Sequence, residues 1–308
     1  MPDLILHHYP QSPVSEKVRV VLGMKGLAWR SVIIPRVPPK PELVPLTGGY
    51  RRTPVLQVGA DIYCDSHCII REIERRHPEP SLYPDGGPGL HWGLARWTDG
   101  PFFQAALSVV LGSQVGKMPA DFAADRGRLY FGPDYDLDQV AADLAHSVAQ
   151  LRGHFQVVEE SLQDGRPFLF GESPGLADAL CYYLAWFVAG RYDAGTALLA
   201  RYVRLSRWSE RMRAIGHGRA EDLAAAEALR VAAGSQPDAA PTAEPIADQG
   251  LSPGAVVLVT PDGEGGDPSV AGELVAANDR EIVIRRDTAD LGPVAVHFPR
   301  LGFRITAS

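Results

Sequence analysis

The chain has 308 residues, of which 45% are hydrophobic and 22% charged, an ordinary globular composition that excludes disorder as the global state. That length exceeds what one compact domain usually needs, so two or three domains are expected. A net charge of -7 leaves no basic footprint for nucleic acid or for an anionic membrane surface, and neither partner is expected.

Up to about residue 84, short β-like runs (LILHH, WRSVIIP, PVLQV, DIYC) alternate with the helical patterns SEKVRVVLGMKG and SHCIIREIERRH. The order strand, helix, strand, connection, strand, strand, helix predicts an α/β layer over 1–84. From Gly89 to Ala233 the β-like runs vanish. Apolar residues recur there at helical spacing, as at Val140, Leu144, Val148, Leu151, Phe155, Val158 and Leu162, and predict an all-helical domain over 89–233. Residues 234–250 hold three prolines and no aromatic residue, too little apolar surface to order themselves, and read as a linker. Residues 251–308 are β-branched runs separated by turn residues, which predict a small antiparallel, SH3-like β-barrel domain. Linker and tail each carry a net charge of -3, leaving -1 for the rest.

The opening MPDLILHHYPQSP has no basic stretch and only a short apolar run, so neither a signal peptide nor a membrane span is expected. Three cysteines, Cys64, Cys68 and Cys181, make no disulfide framework; a reducing compartment, the cytoplasm, is the expectation. Cys64 and Cys68 form a C-x3-C pair without further ligands at metal spacing, so core packing and no metal are expected.

Three local signals carry chemistry. Ser12-Pro13 is a helix start, with serine as the cap and proline at the first helical position. A hydroxyl at that positive helix end can also hydrogen-bond an anion such as a thiolate. Thr53-Pro54 enters a strand and suits a cis bond that would offer the Thr53 backbone to an extended, peptide-like ligand. Asp65-Ser66 opens the third helix, where backbone N–H groups and a hydroxyl can hold a carboxylate. Each has a plainer reading: a cap, an edge-strand proline, an acidic residue beside a cap.

Taken in order and spacing, SPVSEKVRVVL, RTPVL and CDSHCII resemble the thioredoxin-like domain of serine-type glutathione transferases. The resemblance implies that Ser12 is the catalytic serine, with Ser15 one turn further in as the fallback. It also implies glutathione contacts by Arg52, Thr53, Pro54 (cis), Asp65 and Ser66. The run DGRPFLFGESPGLADALCYYLAWF is similar to the start of the family's central helix, except that Gly175 stands where Ser or Thr caps it. Asp178 can still supply half of a capping box. The resemblance spans roughly residues 3–233. It implies a homodimer that conjugates glutathione, as co-substrate, to a hydrophobic electrophile bound by the helical domain.

A second reading keeps the fold for binding or scaffolding through the helical domain and the β tail, and leaves a protein partner for 251–308 open. A thiol-disulfide reductase is disfavoured because position 12 is not cysteine. His7 and His8 lie on opposite faces of the first strand, one read as a buried, hydrogen-bonded histidine and the other as able to reach the site mouth, with packing the favoured reading for either. Tyr9 is a candidate pocket wall; Trp92, Trp97, Phe102 and Phe103 are a source of further walls, but an aromatic stripe on a helix is more often core, and none of the four is assigned individually.

Overall fold

The computed structural model describes residues 3–238, 250–263 and 266–308, so most of the expected linker, 239–249, lies outside the described residues. The first layer runs β1 (Ile5–His8), α1 (Pro13–Met24), β2 (Ala28–Ile33), α2 (Val44–Thr47), β3 (Val55–Val58), β4 (Asp61–Cys64) and α3 (Ser66–Arg76). β1 pairs β2 in parallel, a pairing that needs a crossover, and α1 supplies it. The hairpin β3–β4 pairs antiparallel with β1 through β3. All of β1 is buried because both faces of the sheet are covered. Leu4 and Leu6 face the core shared with the helices, while Ile5 faces the core shared with the tail.

The helical region holds α4 (Gly87–Trp97), a π-type turn over Thr98–Phe102, α5 (Phe103–Ser113), α6 (Ala120–Phe131), α7 (Leu137–Ala142), α8 (Leu144–Ser161), α9 (Leu176–Arg191), α10 (Gly195–Leu199) and α11 (Val203–Ile215). α9 is apolar nearly all round and buried along most of its length, as a helix at the centre of a bundle must be. Its start explains the unusual glycine cap. A Cβ on Gly175 would lie 2.9 Å from Pro84 Cδ and 3.2 Å from His91 Cε1, so a side chain cannot fit. The Gly175 N–H instead donates to Asp178 Oδ2 at 2.9 Å, and Asp178 Oδ1 accepts from Leu169 N–H and from Trp208 Nε1.

Two expectations are corrected. The region expected to be wholly helical carries a strand, β5 (Arg219–Asp222), which pairs in parallel with β2 before α12 (Ala225–Ala233) packs back on the first layer. Its four residues are exposed and charged or small, so no hydrophobic alternation announces a strand.

The second correction concerns the tail. β6 (Val256–Pro261), β7 (Val270–Ala277), β8 (Glu281–Thr288), β9 (Gly292–Pro299) and β10 (Phe303–Ala307) do not close into a barrel. They are antiparallel neighbours in the order β10-β6-β7-β8-β9, and β9 pairs in parallel with β4. A single ten-stranded mixed sheet results, β10-β6-β7-β8-β9-β4-β3-β1-β2-β5. The physical reason is a shared core: Val257, Val270, Ile284, Val296 and Phe298 of the tail pack with Ile5, Val32, Val55 and Ile62 of the first layer. With its apolar face covered that way, β9 spends its free edge on β4.

Candidate functional site

The junction of first layer, helices and tail encloses a cavity of about 330 Å³, at the small end of ligand sites. Ser12, Arg52, Thr53, Pro54, Asp65 and Ser66 all line it. Ser15 does not: its hydroxyl is buried without a hydrogen-bond partner among the described residues, away from the cavity.

Ser12 caps α1. Its backbone is extended and its Oγ accepts the Ser15 N–H at 3.1 Å. Capping uses only an acceptor lone pair, so the hydroxyl hydrogen stays available to a second partner. The loop before the cap is fixed from beneath. Arg19, on the next turn, donates to the Tyr9 and Pro10 carbonyl oxygens at 3.3 and 3.0 Å, and to Glu16 Oε2 from two nitrogens at 3.1 and 2.7 Å. Burial opposes the charge on Glu16, but the hydrogen bond from His217 and the Arg19 guanidinium hold its pKa below the usual value.

The Thr53-Pro54 bond is cis, at the entry to β3. Asp65 caps α3 by accepting the His67 N–H at 2.8 Å, with φ of 72°. Among the described residues it is the one non-glycine residue at positive φ, a conformation that costs about 1–3 kcal/mol and persists where surroundings enforce it.

Of the remaining groups, Lys17 and His67 fall inside the motif runs without being singled out, and Asp99, Lys40 and Arg126 had no sequence signal. Lys17 Nζ donates to Asp99 Oδ1 at 2.7 Å, and His67 Nε2 meets Asp99 Oδ2 at 2.7 Å. Burial opposes the Asp99 charge, yet the Lys17 ammonium and the His67 ring hold the carboxyl well below the usual range. Lys40 donates to Arg51 O at 2.7 Å and Thr53 Oγ1 at 2.9 Å. Burial, then the charges of Arg126 and Arg51, push its amino group down to about 7. Arg126 donates to the Tyr9 hydroxyl at 3.2 Å. From the tail, Pro261, Asp262, Leu301 and Phe303 complete the wall. Only proximity in the fold unites these residues.

The other candidates divide. Tyr9 and Phe103 line the cavity. Trp97 and Phe102 pack with His154 in the helical core, and Trp92 stacks under Arg71. His7 and His8 are both buried, bonded to Gln57 and to Ser31 and Arg19, and neither reaches the cavity. All three cysteines are buried free thiols, pushed up by burial. A larger cavity of about 840 Å³ lies between α3 and the tail, but none of the predicted site residues lines it. Among the described residues, no group of three or more His, Cys, Asp or Glu side chains is arranged for a metal ion, and no helix is long and apolar enough to cross a membrane.

Comparison with known proteins bears on the fold. The glutathione S-transferase N-terminal domain family matches residues 6–81, and the glutathione S-transferase C-terminal domain family matches 121–211. A GST-like protein from Pseudomonas syringae is 36% identical over 100% of both chains, with a TM-score of 0.80. A glutathione S-transferase from Rhodospirillum rubrum F11 shares the fold at 21% identity, covering 68% of this chain and 87% of that one, with a TM-score of 0.52. FzlA from C. crescentus does so at 22%, covering 78% and 96%, also with a TM-score of 0.52. No curated protein matches the sequence. The chain belongs to the glutathione S-transferase superfamily.

Proposed function

We propose that the protein is a glutathione transferase in which Ser12 stabilises the glutathione thiolate for attack on a hydrophobic electrophile. The observation that carries this reading is the Ser12 hydroxyl: it lines the cavity, and its cap bond leaves the O–H hydrogen unspent. Thr53 at the cis bond offers its backbone to the cysteinyl part of glutathione. Asp65 and Ser66 take the γ-glutamyl end at the start of α3, and Arg52 faces a carboxylate. The electrophile sits against Phe103, Leu129, Tyr130 and Tyr183 on the helical side of the same cavity.

The magnitudes suffice. Lowering a thiol from about 8.5 by ~2 units takes about 2.7 kcal/mol of preferential stabilisation of the anion. A hydrogen bond to a charged group contributes about 1.5–3 kcal/mol and a helix N-terminus about 0.3–1 kcal/mol. No metal enters this chemistry.

Two substitutions separate capping from catalysis. Asp caps a helix as well as Ser does but offers no hydrogen to a thiolate. Ser12→Asp is therefore expected to keep stability within about 1 kcal/mol while conjugation falls at least tenfold, and Ser12→Ala to lose both. The readouts are urea unfolding, the conjugation rate with an aryl halide, and thiolate absorbance of bound glutathione against pH. A Ser12→Asp protein with the wild-type rate would refute the role of Ser12.

A further inference from the structure

The tail brings a carboxylate up behind two arginines that line this cavity. Asp267, on the loop between β6 and β7, accepts from Arg52 Nε at 2.8 Å and Arg52 Nη2 at 2.5 Å through Oδ2, and from Arg51 Nε at 3.1 Å through Oδ1. Its side chain is 5% exposed, whereas Arg52 keeps 34%. Arg51 in turn pairs through Nη1 with Asp125 on α6. Charges therefore alternate Asp125, Arg51, Asp267, Arg52 across the rim, joining helices, first layer and tail.

We infer that Asp267 is a positioning residue of the glutathione site, holding Arg52 so that the free edge of its guanidinium meets a ligand carboxylate. This rests on the glutathione reading above. A guanidinium is a rigid plane with five N–H donors and two edges that can each take a carboxylate. Asp267 occupies the edge formed by Nε and Nη2. Among the described residues Nη1 has no acceptor, and Arg52 lines the cavity, so the outer edge is the one left for ligand.

Arg51 keeps Asp125, but without Asp267 the part-exposed Arg52 guanidinium would have no carboxylate partner among the described residues and would be free to turn to solvent. A buried carboxylate between them removes that freedom before the ligand arrives, which is preorganisation rather than contact. The tail is then a working wall of the site rather than an appendage: without it, Arg52 has no fixed direction.

The test is a double-mutant cycle on the full chain, with glutathione affinity read by calorimetry and kcat and KM read with an aryl halide. Asp267→Asn is near-isosteric but loses the charge. It is expected to weaken glutathione about tenfold and raise KM for glutathione while leaving kcat within twofold, as loss of uniform binding does. In an Arg52→Ala background the same change is expected to add less than twofold, because nothing remains to be oriented. Asp267→Glu is expected to recover part of the affinity.

Tighter binding by Asp267→Asn would overturn the proposal and make Asp267 a competitor of the ligand. An undiminished effect in the Arg52→Ala background would make it a merely structural clamp, and unchanged affinity would remove it from the site. If wild type itself bound no glutathione, the glutathione reading would fall and this inference with it.

Discussion

Two arginine–carboxylate clusters flank the same cavity and differ chiefly in water. Beneath the Ser12 loop, Arg19 and Glu16 are 6% and 2% exposed, and their side-chain partners come from the loop, α1, His8 at the end of β1 and the turn after α11. At the rim, Arg51, Arg52, Asp125 and Asp267 are gathered from the first layer, α6 and the tail, and Arg52 still meets solvent. Buried, a broken pair strands a charge; at the rim, Asp267 is as buried as the floor, but water can replace the partner that Arg52 loses. The floor is thus expected to carry stability and the rim to carry affinity.

Acid is the strongest way to test the floor. Burial pushes His7 down to about 4; burial followed by the Arg19 charge pushes His8 down to about 3. Both folded values lie below the unfolded value near 6.5. The stability they contribute is therefore present above that pH and lost as pH falls toward 4 and then 3. Each ring is expected to cost about 1.4 kcal/mol per pH unit on the way down. Urea unfolding at pH 7, 6 and 5 measures the slope, and a stability unchanged across that range would refute buried neutral rings. Next in size, Arg19→Ala leaves Glu16 buried with only His217 and is expected to cost about 3–5 kcal/mol. If its loss were no larger than that of Asp125→Ala at the rim, the contrast between the clusters would fail.

The same division separates what the sequence discloses from what it hides. Ser12, Pro54 and Asp65 were legible because a cap, a cis-prone step and a helix start are each written in neighbouring residues. Lys40, Asp99 and Arg126 sit in a proline-rich loop, a π-type turn and a helix, and nothing local distinguishes them from solvated charges. Gly175 was visible as an anomaly, but its cause, the approach of Pro84 and His91, exists only in the packed structure. For the tail, strand composition was readable, while the pairing of Ile62 with Val296 that opens the barrel into a shared sheet depends on which apolar faces meet. Alternation states that a strand has two faces, not what covers them.

The smallest effect at the rim is also the most specific. Lys40 is buried, bonded to a carbonyl and a hydroxyl, and has no carboxylate within ion-pair distance among the described residues. Burial, and after it the two guanidinium groups of Arg126 and Arg51, push its amino group down to about 7, so above that pH the free protein holds it largely neutral. A glutathione carboxylate arriving beside it would reverse the balance and draw the pKa back up. Binding at pH 8 is therefore expected to take up most of one proton, and to take up none in Lys40→Gln. S-methylglutathione isolates the effect because it has no thiol to ionise. Calorimetry in two buffers of different ionisation enthalpy counts the proton. Equal heats in both buffers for wild type would show that no anion approaches Lys40, and would confine carboxylate recognition at the rim to Arg52 as Asp267 holds it.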